Sequence, residues 1–193
     1  MNKKVLIVDN YDSFTYNLAQ IVNEIIQEEA DVRKNDKITV DEVKEYSHII
    51  LSPGPGLPNQ AGIIKSIIEN LGPTHKVLGV CLGLQAIGEA YGAKLKNLQQ
   101  VFHGIQSDFY KTEIESPIFE NIHNPFKAGR YHSWVIDPED LGKDLLVTSK
   151  DSNNQIMSIQ HKSYHVYGVQ FHPESIMTPQ GPLMIQNFLE IGS

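Results

Sequence analysis

The stretch Lys76 to Ala93, KVLGVCLGLQAIGEAYGA, constrains this chain more than any other. It reads as a short buried strand (Val77, Leu78, Val80), then a cysteine bracketed by Gly79 and Gly83, then a helix. The helix carries Leu84, Ile87 and Tyr91 at helical spacing and stops at a left-handed Gly92. A residue at such a strand-to-helix corner sits in a sharp turn that small neighbours must flank. Its side chain stands above the sheet, with the N–H groups of the opening helix behind it. That is the logic of a nucleophile elbow, with cysteine in place of serine. The helix N-terminus favours thiolate over thiol. Cys81 is the single cysteine of the sequence, so no disulfide can form within the chain. The bland alternative is that it is a small buried hydrophobe.

The sequence before this stretch alternates strands and helices. Lys4 to Asp9 is an apolar run ending in an acid, as a central parallel strand would be. Asn10 to Ser13 makes a turn in which Asp12 or Ser13 can cap the next helix, whose Phe14, Leu18, Ile21, Val22, Ile25 and Ile26 share a face. Asp31 to Arg33 is a short strand, and Thr39 to Glu42 is a capping box opening a short helix. His48 to Ser52 is a buried strand that runs into Pro53-Gly-Pro-Gly-Leu-Pro58, and Gly62 to Leu71 is a helix. This alternation implies a parallel sheet covered on both faces. After Gly92 the pattern turns to strands, with Val101, Phe109 and Ile114 as anchors. Ser116 to Pro125 is loop with one helical turn. Tyr131 to Ile136, Leu145 to Ser149, Ile156 to Gln160 and Val166 to Phe171 are further strands, and Pro179 to Leu189 is a closing helix. The fold class expected is α/β, a mostly parallel central sheet with helices on both faces plus a small antiparallel sheet, in one domain over 1–193.

Bulk properties narrow the function classes. The 193 residues are 40% apolar and 20% charged, ordinary for a globular enzyme or binding protein. A net charge of −7 argues against nucleic acid as a partner. No apolar run reaches the roughly 18 residues of a membrane span, and the first ten residues are too polar for a signal peptide. One cysteine suits a reducing compartment. A cytoplasmic location is expected.

In an open α/β sheet, ligands bind outside the carboxyl ends of the strands. Four segments fall there on this reading: Asp9 to Ser13, Ser52 to Gly56, Cys81, and Phe171 to Glu174. A cysteine nucleophile needs a base, and histidine suits the task near pH 7. Of the eight histidines, His172 follows an apolar strand, and Glu174 two residues on can point the same way along an extended segment. Pro173 favours that extension. A carboxylate beside an imidazole fixes its tautomer, the third role of a triad. In the loop before the second of the long helices, Gly54 and Gly56 permit close backbone approach while Pro53 and Pro55 stiffen it. An amide there, with the N–H of Leu82, would form an oxyanion hole. A metal site built from Cys81, His172 and Glu174 has too few closely spaced ligands.

Ser52-Pro-Gly-Pro-Gly-Leu-Pro58, Gly79-Val-Cys-Leu-Gly83 with Gln85, Arg130-Tyr-His-Ser133 and Gly168-Val-Gln-Phe-His-Pro-Glu-Ser175 resemble the class I, triad-type glutamine amidotransferases over essentially the whole chain. Asp9-Asn-Tyr-Asp-Ser-Phe-Thr-Tyr-Asn17 is similar to the branch serving chorismate-using synthases, the glutaminase subunits of anthranilate synthase and aminodeoxychorismate synthase. The resemblance implies Cys81 as nucleophile, His172 as base and Glu174 as the acid that orients it. It implies the Gly54-Pro55-Gly56 loop and Leu82 as the oxyanion hole, and Gln85 with the Ser133–Trp134 backbone as the grip on L-glutamine. It also implies a separate synthase subunit (component I) that receives ammonia, with magnesium expected there and no cofactor or metal in this chain. Leu84, Ile105 and Trp134 stand where many relatives have histidine, lysine and leucine. Gly56, where relatives of the aminodeoxychorismate type often carry cysteine, favours anthranilate synthase. An autonomous γ-glutamyl hydrolase and a non-catalytic subunit are the rival readings.

Overall fold

A computed structural model describes residues 3–192. One nine-stranded sheet runs through it in the order β2-β1-β3-β4-β11-β10-β9-β6-β7. The parallel half is β2 (Asp31–Lys34), β1 (Val5–Asp9), β3 (His48–Leu51), β4 (Lys76–Val80) and β11 (Val166–Val169). The antiparallel half is β10 (Ile156–His161), β9 (Leu145–Asp151), β6 (Ile105–Lys111) and β7 (Phe126–Arg130). β5 (Leu95–Asn97) and β8 (Trp134–Ile136) pair as a separate small antiparallel sheet. The α/β class is thus as expected, and most of the antiparallel strands extend the central sheet itself.

Alternation along the parallel strands sorts their side chains into two cores. Val5, Ile7, Ile50, Leu78 and Val80 face α1 (Thr15–Ile26) and α5 (Gly181–Glu190) through Leu18, Val22, Met184, Ile185 and Phe188. Leu6, Val8, Ile49, Leu51 and Val77 face α3 (Ile64–Leu71) and α4 (Leu82–Ala90) through Ile64, Ile67, Ile68 and Leu84. Leu6, Ile7 and Val8 are fully buried. Each contributes roughly 1.5–3 kcal/mol relative to exposure, so β1 is fixed in the middle of the sheet. The short α2 (Val40–Val43) opens with the expected capping box between Thr39 and Glu42. Gly92 closes α4 at φ +88, with the Ala93 N–H returning to the Gly88 carbonyl.

Several expectations need correction. α1 has no side-chain cap: its N-cap is Phe14, and the Asp12 carboxylate accepts the Phe14 N–H at 2.7 Å inside the preceding turn. α3 starts at Ile64, after a single 3-10 turn at Pro58–Gln60. Val101 lies outside any strand and is 70% exposed, and Ile114 sits in a turn, so only Phe109 anchors a strand there. The segment Phe126–Arg130, read as no element from sequence, is a strand, and the strand expected from Tyr131 begins at Trp134. FKAGR escapes notice because its small Ala128 and Gly129 break the apolar alternation. The strand is held instead by pairing to β6 and by Phe126 in an aromatic cluster with Phe109 and Phe171.

Candidate active site

Cys81 occupies the corner between β4 and α4 with φ +53 and ψ −100, backbone angles that a non-glycine residue holds only under constraint. The constraint is visible on both sides. The Cys81 N–H donates to the Val169 carbonyl of the neighbouring strand at 2.8 Å. A Cβ on Gly79 would lie 2.4 Å from the Gly83 carbonyl carbon, and one on Gly83 would lie 2.6 Å from the Leu51 carbonyl oxygen. Only glycine at both positions lets α4 start so close to β3 and β4, with its N-terminus behind the sulfur. Cys81 is 7% exposed.

His172 arrives from the end of β11. Phe171, fully buried, stacks on Phe109 at 5.5 Å and pins the segment into the core. The His172 N–H donates to the Gly129 carbonyl at 3.1 Å, and the Thr178 hydroxyl donates to the His172 carbonyl at 2.6 Å. Its ring Nδ1 lies 2.7 Å from Glu174 Oε1, with both side chains buried. Nε2 is buried and makes no standard hydrogen bond. Burial works against an imidazolium here, but the Cys81 sulfur and the Glu174 carboxylate outweigh it and raise His172 to about 10.

The turn after β1 reaches the same place. Asp9 Oδ1 accepts the N–H groups of Tyr11 and Asp12 and the hydroxyl of Thr15. Asn10 ties the turn to the next loop: its N–H donates to Ser52 Oγ at 2.9 Å and its Nδ2 to the Ser52 carbonyl at 2.7 Å. A Cβ on Gly54 would meet Asn10 at 2.6 Å, so that glycine is required by packing against this turn as much as by any ligand. Phe14 then lays its ring edge against His172 at 5.8 Å, and Tyr131 packs on His172 and Phe14 at 4.8 and 5.4 Å.

A pocket of about 180 Å³ opens over the sulfur, lined by Gly54, Gly56, Cys81, Leu82, Gln85, Tyr131, His132, Ser133 and Trp134. Every residue expected to touch substrate is in that lining except Pro55, with His172 and Glu174 buried behind it. Gln85 Nε2 donates to the Trp134 carbonyl at 3.1 Å, and His132 Nδ1 reaches the same oxygen at 3.2 Å. His132 Nε2 accepts from Arg130 Nε at 3.3 Å, and Arg130 is paired in the interior with Asp151 at 2.9 Å. Burial, followed by the Arg130 charge, lowers His132 to about 3, which keeps it neutral and its Nδ1–H on the Trp134 carbonyl. The Ser133–Trp134 backbone is therefore held from behind. Larger grooves of about 560 and 640 Å³ run along α1, but neither includes a cysteine or histidine.

Sequence reasoning assigned no role to Tyr131, His132 or Gln170. The first two adjoin the motif residues Arg130 and Ser133. Gln170 is fully buried, its Nε2 donating to Cys81 Sγ at 3.5 Å and its Oε1 accepting from Gln85 Nε2 at 3.4 Å. Its one signal in the sequence is a polar residue directly after the strand, inside a stretch otherwise apolar up to His172. Among the described residues no three His, Cys, Asp or Glu side chains gather as a metal site would require, and no helix is long and apolar enough to cross a membrane.

The family described as Glutamine amidotransferase class-I matches residues 6–191. Anthranilate synthase component 2 of Cyanophora paradoxa is 44% identical over 188 residues, 96% of this chain and 97% of that protein. The aminodeoxychorismate/anthranilate synthase component 2 of Bacillus subtilis is 43% identical over 188 residues, covering 96% and 95%. The solved structure of a glutamine amidotransferase from Thermotoga maritima superposes with a TM-score of 0.80 at 13% identity over 99% of this chain and 98% of that one, a likeness of fold.

Proposed function

The chain belongs to the class I glutamine amidotransferases, and from that premise we propose that it is the glutaminase subunit of an anthranilate synthase, with Cys81, His172 and Glu174 as its triad. The observation that supports this reading is the 180 Å³ pocket in which Cys81, the Gly54–Gly56 loop, Leu82, Gln85 and the Ser133–Trp134 backbone meet. L-glutamine enters with its side-chain amide at the sulfur and its α-amino and α-carboxylate groups at Gln85 and Ser133–Trp134.

The reacting pair is the Cys81 thiolate and the His172 imidazolium, the form of the histidine that its raised value favours. The thiolate adds to the amide carbon, forming a C–S bond and sending an electron pair to the oxygen. The N–H groups of Gly56 and Leu82 hold that oxyanion. His172 gives its proton to the amide nitrogen, the C–N bond breaks, and ammonia leaves. Water then adds to the thioester as His172 takes its proton, and the C–S bond breaks to return the thiolate. Glutamine and water become glutamate and ammonia. Glu174 holds the imidazole through Nδ1.

Ammonia passes to a chorismate-using synthase partner, and any magnesium that step uses is held there. Tyr11 on the β1 turn, Tyr16 in the first turn of α1, and Ile176 just past Glu174 are exposed on segments that adjoin the site. A partner bound to that turn would be felt at His172 through Phe14. The Bacillus relative is named for both products, so a subunit shared with aminodeoxychorismate synthase is the second reading. The test is product formation from chorismate with the co-purified partner, supplied with glutamine or with ammonia, and glutamate release with and without that partner. Glutamine-dependent anthranilate and a faster glutaminase in the complex are expected. Equal glutamate release in both conditions would revive the autonomous γ-glutamyl hydrolase.

A further inference from the structure

Gln170 presents a problem in energetics. Its side chain is fully buried, yet its two contacts are a 3.5 Å bond to sulfur and a 3.4 Å bond to another amide. The amide–amide contact exceeds the usual length for its kind, and sulfur in a thiol is a weak acceptor. A buried amide with only weak partners contributes little to stability while carrying its full desolvation cost. A leucine would fill similar space without that cost. What the amide can do and leucine cannot is donate a hydrogen bond to the reacting sulfur. A thiolate is a far better acceptor than a thiol, because hydrogen bonds to charged acceptors are shorter and about twice as strong. Catalytic hydrogen bonds are often long in a resting enzyme and tighten in reaction.

We infer that Gln170 is a further catalytic residue, whose Nε2–H holds the Cys81 thiolate in the resting enzyme and receives it again as the glutamyl thioester breaks. The orientation of the amide is set by its other end. Gln85 donates to Gln170 Oε1, so Nε2 is the atom turned to the sulfur. Gln85 also donates to the Trp134 carbonyl, at the grip for glutamine. A continuous line of polar contacts thus runs from the α-carbon end of the substrate pocket to the nucleophile, separate from the His172–Glu174 pair. The donor that reaches the sulfur, at 3.5 Å, is a neutral amide. The amide keeps its donor whatever the state of the histidine.

The inference rests on Cys81 being the nucleophile, and its test separates the two. Iodoacetamide alkylation of Cys81 is followed against pH in the full chain without substrate, for the parent, Gln170→Leu and Gln170→Glu, with thermal melting as the check on folding. Gln170→Leu removes the donor. Gln170→Glu keeps the length and the acceptor for Gln85 while replacing the donor with a carboxylate. The acid limb of the alkylation profile is expected to move up by about one pH unit in Gln170→Leu, the tenfold effect of losing a modest bond to a charged group. It should move further in Gln170→Glu, and glutamate release at pH 7 should fall about tenfold or more in both. A residue that only fills space would leave the profile in place. Superimposed profiles in whichever variant folds, or a shift in Gln170→Leu absent from Gln170→Glu, would overturn the inference. Activity retained by Cys81→Ser would sink the nucleophile reading itself. A dead Cys81→Ser with unmoved alkylation profiles would sink only the role of Gln170.

Discussion

Glu174→Gln isolates one link of the proposed triad with little change in shape. In the parent, Glu174 Oε1 lies 2.7 Å from His172 Nδ1, and Oε2 is buried with no partner. That one bond is therefore the whole polar role of the carboxylate. A hydrogen bond to a charged group contributes about 1.5–3 kcal/mol. The neutral bond that replaces it contributes about 0.5–1.5 kcal/mol, so about 1–1.5 kcal/mol is lost; at about 1.36 kcal/mol per decade of rate that predicts a fall in kcat of about 5- to 13-fold. The glutamine amide can still accept from Nδ1–H through its oxygen, so the ring stays in place and the loss belongs to charge. Without the carboxylate, burial, the largest influence on His172, pulls it back down, and less imidazolium remains to pair with the thiolate at pH 7. His172→Ala removes the proton carrier itself and should cost far more, close to the loss on removing Cys81. The assay is glutamate release at saturating glutamine in the complex, with melting temperature as the control. Parent-like activity in Glu174→Gln would refute an orienting carboxylate. So would a loss equal to that of His172→Ala in a folded protein, since Glu174 would then be doing more than orienting.

The other predictions are shorter to state. Gly79→Ala drives a Cβ to 2.4 Å from the Gly83 carbonyl carbon; backbone must shift, at about 1–3 kcal/mol or more, and an unchanged melting temperature would contradict the elbow geometry. A Cys81→Ala, His172→Ala double variant should lose barely more activity than either single one, because triad members act as a unit; multiplying losses would count against a shared step. His132 is held at about 3 and His48 at about 4, chiefly by burial. Between those values and about 6.5 the unfolded chain binds protons that the folded chain refuses. Stability conferred by the neutral rings is thus complete above about 6.5 and lost as pH falls. His132 alone should contribute a loss of about 2–3 kcal/mol between about pH 6.5 and 4.5, at about 1.36 kcal/mol per unit, and urea unfolding of His132→Gln should show a flatter decline; parallel curves would contradict the buried neutral histidine.

Much of the site is readable in the sequence because its constraints are local. The small-residue bracket around Cys81, the Pro-Gly-Pro-Gly loop and the His-Pro-Glu spacing are each short patterns with a backbone reason. The strand-end rule then gathers them without knowledge of strand order. The α/β alternation is readable for the same reason, since Leu6, Ile7 and Val8, or Ile49 to Leu51, are continuous apolar runs that only a doubly covered sheet accepts. Long-range causes are hidden. FKAGR becomes a strand through pairing with β6, not through its own composition. The missing cap of α1 follows from Asp9 and Asp12 committing their carboxylates to the turn itself. Gln170 reveals its neighbours only once β11 lies beside β4 and brings it to the sulfur.

The most direct test of the proposed chemistry is Cys81→Ser in complex with the synthase partner. A folded protein is expected that still binds its partner and releases no glutamate above background, while the complex makes its aromatic product from chorismate when ammonia is supplied. Glutaminase activity surviving in Cys81→Ser would contradict the assignment of Cys81 as nucleophile.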